Sequence, residues 1–185
     1  MEGERLVKSV YEAIRASPVW DSSLFIITYD EHGGFYDHVN PNDLGPVPAP
    51  DDNVNKATGF AFDRLGVRVP TVVISPFVTR GSVVNSRKLH RERAVRDLPF
   101  PNSQFESTSI MATTSKIFNI TAAPLGNRTA WAATFTSILR PENYRNDCIE
   151  TLPELPSLQT VLRETNAYEV QRKKPLNEHL ESQLM

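Results

Sequence analysis

Three carboxylates, two imidazoles and a glycine pair crowd one stretch of the sequence: Thr28-Tyr29-Asp30-Glu31-His32-Gly33-Gly34-Phe35-Tyr36-Asp37-His38-Val39. Carboxylate oxygens and imidazole nitrogens are ligands for divalent cations. A cation held there polarises a phosphoryl oxygen or activates a nucleophile. Asp30 and Glu31 are candidate metal ligands, with a divalent metal ion of unspecified identity as the candidate cofactor. His38 is the candidate catalytic residue, orienting the loop or approaching the substrate, with Asp37 available to orient it. The ordinary reading stands beside this one. Asp and Glu after a strand commonly cap a helix or sit solvated in a loop, and a loop histidine such as His32 is more often hydrogen-bonded than a ligand. Residue types alone leave both readings open.

A second constellation is Phe62-Asp63-Arg64-Leu65-Gly66-Val67-Arg68-Val69-Pro70. Arg64 and Arg68 are candidates to clamp a phosphate, because a guanidinium presents paired N–H donors to paired oxygens. They are equally candidates for structural pairing with Asp63 or Glu106. A third, Ser103-Gln104-Phe105-Glu106-Ser107-Thr108-Ser109-Ile110, clusters hydroxyls before an apolar segment. That arrangement predicts a capped helix N-terminus, with Ser107 or Thr108 as the N-cap.

Elements must hold these residues in place. Leu24-Phe25-Ile26-Ile27-Thr28-Tyr29 is an apolar run rich in β-branched and aromatic residues, and it predicts a strand buried on both faces, as in a parallel sheet. Asp30 follows it directly, and in open α/β sheets ligands bind outside the carboxyl ends of strands. Neighbouring side chains on a strand point to opposite faces, so Asp30 and Glu31 converge only if the chain leaves the strand there. Gly33 and Gly34 permit that turn. Residues 30–59 have no apolar periodicity and read as a long excursion, which in a domain is commonly functional. Val67–Ser75 predicts a second strand whose regular pairing begins after Pro70. The two strands are expected to be parallel neighbours.

Upstream, Leu6, Val7, Val10, Tyr11 and Ile14 share one face of a predicted helix that Pro18 stops. Residues 77–105 read as irregular and basic around Arg87–Arg96, and a helix is predicted over Thr108–Asn119. Ala130–Leu139 fits a short helix or an edge element. The order is that of an α/β fold with parallel strands flanked by helices, but with too few strands to cover both sheet faces. Residues 1–140 read as one portion of a domain. Residues 141–185 read as a Pro-rich segment followed by a polar, partly helical tail.

The bulk properties narrow the function classes. The chain has 185 residues, 39% hydrophobic and 23% charged, with a net charge of -2. That length buries roughly 70% of the unfolded surface. The charge balance does not point to nucleic acid as a partner. No window approaches the roughly 18 apolar residues that span a bilayer, so membrane contact is expected only at the surface. The first residues carry charges and no apolar core of the signal-peptide kind. The single Cys148 allows no internal disulfide and no cysteine-based zinc site. Two N-glycosylation sequons, Asn119-Ile120-Thr121 and Asn127-Arg128-Thr129, hint at secretion of a longer form, with the compartment otherwise open.

Several blocks occur in a fixed order: LFIITYDEHGGFYDHV, FDRLGVRVPTVVISPFV, the SQFE and TSI block, KIFNI, RTAWAATF and NDCIETLPE. Together they resemble the phosphoesterase family that contains plant non-specific phospholipases C, bacterial phospholipases C and related acid phosphatases. The plant enzymes are the nearest likeness, over about residues 2–153. The resemblance implies an alkaline phosphatase-like fold, a parallel sheet between helices, with metal-assisted phosphoryl transfer at the strand ends. It assigns metal binding to Asp30 and Glu31. It also implies hydrolysis of a phosphate ester, in the phospholipase members of a phospholipid to diacylglycerol and a phosphorylated head group. Two departures accompany it. The family's Glu-Asn-Arg-Ser-Phe-Asp motif and its hydroxyl nucleophile are not found in these residues, so further strands and ligands are expected elsewhere and the 185 residues alone are expected to be inactive. And Ser107 stands where the plant enzymes usually carry His. The competing expectation is a non-catalytic relic that acts, if at all, by binding.

Overall fold

The computed structural model describes residues 2–49, 59–84, 98–157, 159–164 and 166. The basic stretch Arg87–Arg96 and most of the tail lie outside the described residues. The chain divides into two units: residues 1–16 with 149–185, and residues 17–148.

In the first unit, helix α1 spans Glu2–Arg15, with Glu2 and Glu4 in its first turn and Arg15 in its last. Both placements oppose the partial charges of the helix ends. Tyr11 is its buried residue, and the tyrosine hydroxyl donates to the Ile149 carbonyl. Lys8 Nζ donates to Glu12 Oε1 at 2.6 Å and to the Leu152 carbonyl at 2.6 Å, while Leu152 N–H donates to the same Glu12 oxygen at 2.8 Å. The segment after Cys148 is therefore stitched to the helix by polar bonds as much as by apolar contact. Leu6, expected on the buried face, is instead exposed.

In the second unit, β1 (Phe25–Thr28) and β2 (Thr71–Ile74) form a two-stranded sheet. They are neighbours as expected, and pairing begins right after Pro70, but the pairing is antiparallel, with Phe25 opposite Ile74 and Thr28 opposite Thr71. The parallel expectation fails for a topological reason. Parallel neighbours need a crossover that returns the chain to the starting end, usually through a helix. The described part of the connection holds only the 3₁₀ turn Pro41–Leu44, so the chain leaves and re-enters at one end. The strands are also not buried on both faces: Phe25–Ile27 are half-buried, and Thr28, Thr71 and Val72 are exposed. A two-stranded ribbon cannot cover both its faces by itself.

The core lies elsewhere in this unit. Val47, Leu65 and Trp131 form a buried cluster, and Val47 N–H donates to the Asp63 carbonyl at 2.8 Å. Helix α2 spans Ser109–Ile117 and helix α3 spans Asn127–Trp131. The undecided Ala130–Leu139 segment resolves into three parts. It begins in the end of α3, continues as a buried stretch in which Ala133 N–H donates to the Gln104 carbonyl at 3.0 Å, and ends in a 3₁₀ turn at Thr136–Ile138. Buried short hydroxyls serve as internal connectors: Thr113 Oγ1 accepts from Phe135 N–H at 3.1 Å and Ser103 Oγ from Phe100 N–H at 3.0 Å. Each satisfies a donor that burial would otherwise penalise.

Candidate active site

The chain leaves β1 through Tyr29, Asp30 and Glu31, all exposed. Asp30 Oδ1 accepts the Glu31 N–H at 3.1 Å, a local bond that bends the backbone out of the strand. Gly33 and Gly34 follow at φ of 69° and 71°. These positive φ values favour glycine at both positions; at Gly33 a Cβ would also approach the exposed Phe35 ring to 3.0 Å. Among the described residues neither carboxylate is held in an ion pair, and both face solvent. They offer hard oxygen donors, but a divalent ion of the calcium or magnesium type takes about six. Among the described residues no three His, Cys, Asp or Glu side chains come together to hold an ion. The pair therefore fits part of a metal's shell and not a whole one. His32 accepts the Phe35 N–H on its carbonyl at 3.2 Å, while its Nδ1 is buried and lacks a partner among the described residues.

Six residues beyond Glu31, Asp37 gathers a second cluster. Its Oδ1 accepts from Val39 N–H at 3.1 Å and lies 3.3 Å from His38 Nδ1 and 3.4 Å from Arg68 Nη2. Only 8% of the Asp37 side chain is exposed, against 79% for His38, so the carboxylate is the anchor and the imidazole reaches into solvent. The Val39 N–H holds the Asp37 carboxyl below its ordinary range, burial works against this, and the Arg68 and His38 charges reinforce it. His38 is thus oriented by Asp37, as the sequence suggested, and Arg68 joins them.

Neither arginine pairs with Asp63 or Glu106, the partners considered from sequence. Arg68 contacts Asp37, and the Arg64 guanidinium stacks 5.1 Å over the Phe60 ring. Glu106 belongs to Arg128, a buried residue that composition and spacing did not single out. Arg128 Nε donates to the Pro48 carbonyl at 2.6 Å, Nη2 donates to the Phe62 carbonyl, and Nη1 lies 3.7 Å from Glu106 Oε2. Phe62 has a φ of 54°, unfavourable for a bulky residue. The bond from Arg128 to its carbonyl holds that turn and with it the segment leading to Arg64 and Arg68. The one signal in the sequence was an arginine at the head of a largely apolar block, RTAWAATF.

Thr108 stands at the N-cap position of α2, as expected, but makes no side-chain capping bond. The bonds there come from Glu106: its Oε1 accepts from the Thr108 N–H at 2.8 Å and from the Thr108 hydroxyl, and its own N–H donates to Ser109 Oγ at 3.1 Å. This is a reciprocal capping box with the acidic and hydroxyl residues exchanged. Ser107 is exposed in the turn beside it.

Comparison with known proteins extends this picture. The model of the phosphoesterase family matches residues 1–121. Non-specific phospholipase C6 of Arabidopsis thaliana is 48% identical over 155 residues, 83% of this chain and 28% of the relative. Non-specific phospholipase C4 of the same plant is 46% identical over 167 residues, 90% of this chain and 29% of the relative. Phospholipase C A of Mycobacterium tuberculosis is 29% identical over 154 residues, 75% of this chain and 26% of the relative. The chain thus spans less than a third of the length of these curated relatives.

Proposed function

The chain belongs to the phosphoesterase family, and from that premise we propose that it serves the hydrolysis of a phosphate ester bond of the phospholipase C type. The substrate would be a phospholipid, released as diacylglycerol and a phosphorylated head group. One observation carries the reading. The family match covers the exit of β1, where Asp30 and Glu31 stand exposed and uncommitted at the end of a strand. The finer architecture, an alkaline phosphatase-like sheet between helices, rests on the family alone, with further strands beside the β1–β2 ribbon.

In this reading Asp30 and Glu31 would supply two oxygens to a divalent metal ion, with the remaining ligands from water, substrate or other residues. Such an ion, when bound, neutralises charge developing on the phosphoryl group. The side chains have roles of their own. Asp37 fixes one imidazole nitrogen of His38 and leaves the other toward solvent, the arrangement of a proton carrier steered by a carboxylate. Arg68 spends one contact on Asp37 and keeps other N–H donors for a phosphate, and Arg64 is exposed beside the same segment. The partner surface would be a phospholipid membrane touched from one side: no helix among the described residues is long and apolar enough to cross a membrane. No nucleic-acid role is proposed.

A second reading, a non-catalytic binding module, is favoured by the lack of any three-donor metal cluster among the described residues. One experiment separates the two. The product of the whole reading frame that contains this sequence is assayed on phosphatidylcholine vesicles and a chromogenic phosphate ester, with and without divalent ions. Turnover that chelation removes, and that Asp30→Ala and Glu31→Ala each lower by more than about 100-fold, is expected. Losses of that size already follow damage to the outer partners of metal ligands. Undiminished turnover in Asp30→Ala would sink the metal role, and no turnover under any condition would leave the binding module.

A further inference from the structure

Helix α2 ends at an asparagine for a structural reason. Asn119 has a φ of 50°, its N–H donates to the Lys116 carbonyl at 3.3 Å, and Ile120 N–H donates to the Ser115 carbonyl at 2.8 Å. These are the paired bonds of a Schellman ending, in which the left-handed position goes to glycine or, next best, asparagine. The backbone uses Asn119 and leaves its side-chain amide in solvent, with no hydrogen bond to the described residues. Ile120 and Thr121 are exposed too, so all of Asn119-Ile120-Thr121 faces out.

The second sequon differs. Asn127-Arg128-Thr129 lies within α3, with Arg128 and Thr129 both buried. In the folded chain it is closed, because Thr129 is buried and Arg128 is tied to Pro48, Phe62 and Glu106.

Around Asn119 the surface is apolar. Ile117, Phe118 (72% exposed), Ile120 and Leu125 (79% exposed) are four large hydrophobic residues within nine positions. Single exposed apolar residues are ordinary, but a run of them promotes association. A bulky, solubilising N-linked glycan in the middle of the run would cover it.

We propose that Asn119 is an acceptor site for an N-linked glycan, which shields the Ile117–Leu125 surface. In the transfer, Asn119 Nδ2 attacks the anomeric carbon of a polyprenyl-pyrophosphate-linked oligosaccharide. The N–C bond forms, the C–O bond to pyrophosphate breaks, the polyprenyl pyrophosphate leaves, and the transferase takes the amide proton.

The test translates the 185-residue chain behind a cleavable signal peptide in the presence of microsomes, then treats it with a glycan-releasing amidase. A mobility shift reversed by the amidase is expected for the natural sequence. Asn119→Gln should lose it. Thr121→Ala should lose it as well, and is the cleaner variant because it leaves the left-handed asparagine in place. Thr121→Ser and Asn127→Gln should keep it. Binding of a hydrophobic dye should rise when the glycan is removed. No shift, or a shift that survives Thr121→Ala unchanged, overturns the site. Dye binding that ignores the glycan overturns the shielding.

Discussion

Replacing Arg128 tests what holds the segment carrying Arg64 and Arg68. Two of its contacts are charge-assisted bonds to carbonyl oxygens, at Pro48 and Phe62, and the third is an ion pair to Glu106 at 3.7 Å. Hydrogen bonds to charged groups contribute about 1.5–3 kcal/mol each, and breaking a buried pair by removing one partner costs about 3–5 kcal/mol. Arg128→Ala should therefore cost about 4 kcal/mol, a large share of the roughly 5–15 kcal/mol that a domain possesses. Arg128→Lys should cost about 2 kcal/mol, since an ammonium cannot span both carbonyls. Glu106→Gln keeps an oxygen for the Thr108 cap and removes only the charge, so about 1 kcal/mol is expected there. Trp20 and Trp131 are buried in the same unit, so urea unfolding followed by tryptophan fluorescence reports the change. With a slope of about 2 kcal/mol/M, the Arg128→Ala midpoint should fall by about 2 M. The reasoning fails if Arg128→Ala costs under about 1 kcal/mol. It fails equally if Glu106→Gln costs as much, because the ion pair and not the carbonyl bonds would then carry the effect.

Asp30 is exposed and among the described residues its carboxylate accepts only from the next residue, so Asp30→Ala should shift stability by less than about 0.5 kcal/mol while removing turnover, a split that urea unfolding and the phosphoesterase assay read together. The Asp37 carboxyl is held below its ordinary value of 3.8 by the Val39 N–H first, with burial opposing and Arg68 and His38 reinforcing. Its stabilisation is thus full above that value and lost as pH falls through the lower folded value, and Asp37→Asn should flatten the acid limb of stability measured below about pH 4. In the first unit, the hydrogen bond between Lys8 and Glu12 is the largest cause both of the rise of Lys8 above 10.5 and of the fall of Glu12 below 4.5. The Glu12 contribution is lost as pH falls through its folded value, and that of Lys8 as pH rises through its own. Lys8→Met should therefore reduce the pH dependence of hydrogen-exchange protection in α1 at both limits.

Much of the site could be read in the sequence because it is local. The exit of a strand into Asp30-Glu31, the Gly33-Gly34 turn and the Asp37–His38 contact all involve residues within a few positions of each other, where turn chemistry and strand period suffice. The start of β2 after Pro70 follows from a missing N–H. What stayed hidden was long-range. Arg128 lies 80 residues from Pro48 and 66 from Phe62, and no periodicity encodes such a pairing. The orientation of β2 was hidden for the same reason: an apolar β-branched run reads alike in a parallel and an antiparallel sheet. Thr108 took the N-cap position, but the side-chain bonds there come from Glu106, whose longer side chain reaches forward to Thr108, which a preference for short hydroxyls does not anticipate.

The antiparallel pairing has a consequence for the chemistry. Thr28 and Thr71 face each other at one end of the ribbon, their hydroxyls 2.9 Å apart. Asp30 lies just past that end on the outgoing chain, and Arg68 just before it on the returning chain. Had the strands been parallel, Arg68 would enter at the opposite end, about 13 Å away for a four-residue strand. The long excursion between them therefore leaves past Asp30 and returns through Arg68 at the same end of the ribbon. Asp37, partway along, is drawn back to Arg68 at 3.4 Å. A phosphate ester needs both signs of charge around it: donors for its non-bridging oxygens, and acceptors to hold a cation or steer a proton. Two short strands turned against each other bring Asp30 and Arg68 to one end, and through Asp37 the excursion holds His38 beside Arg68.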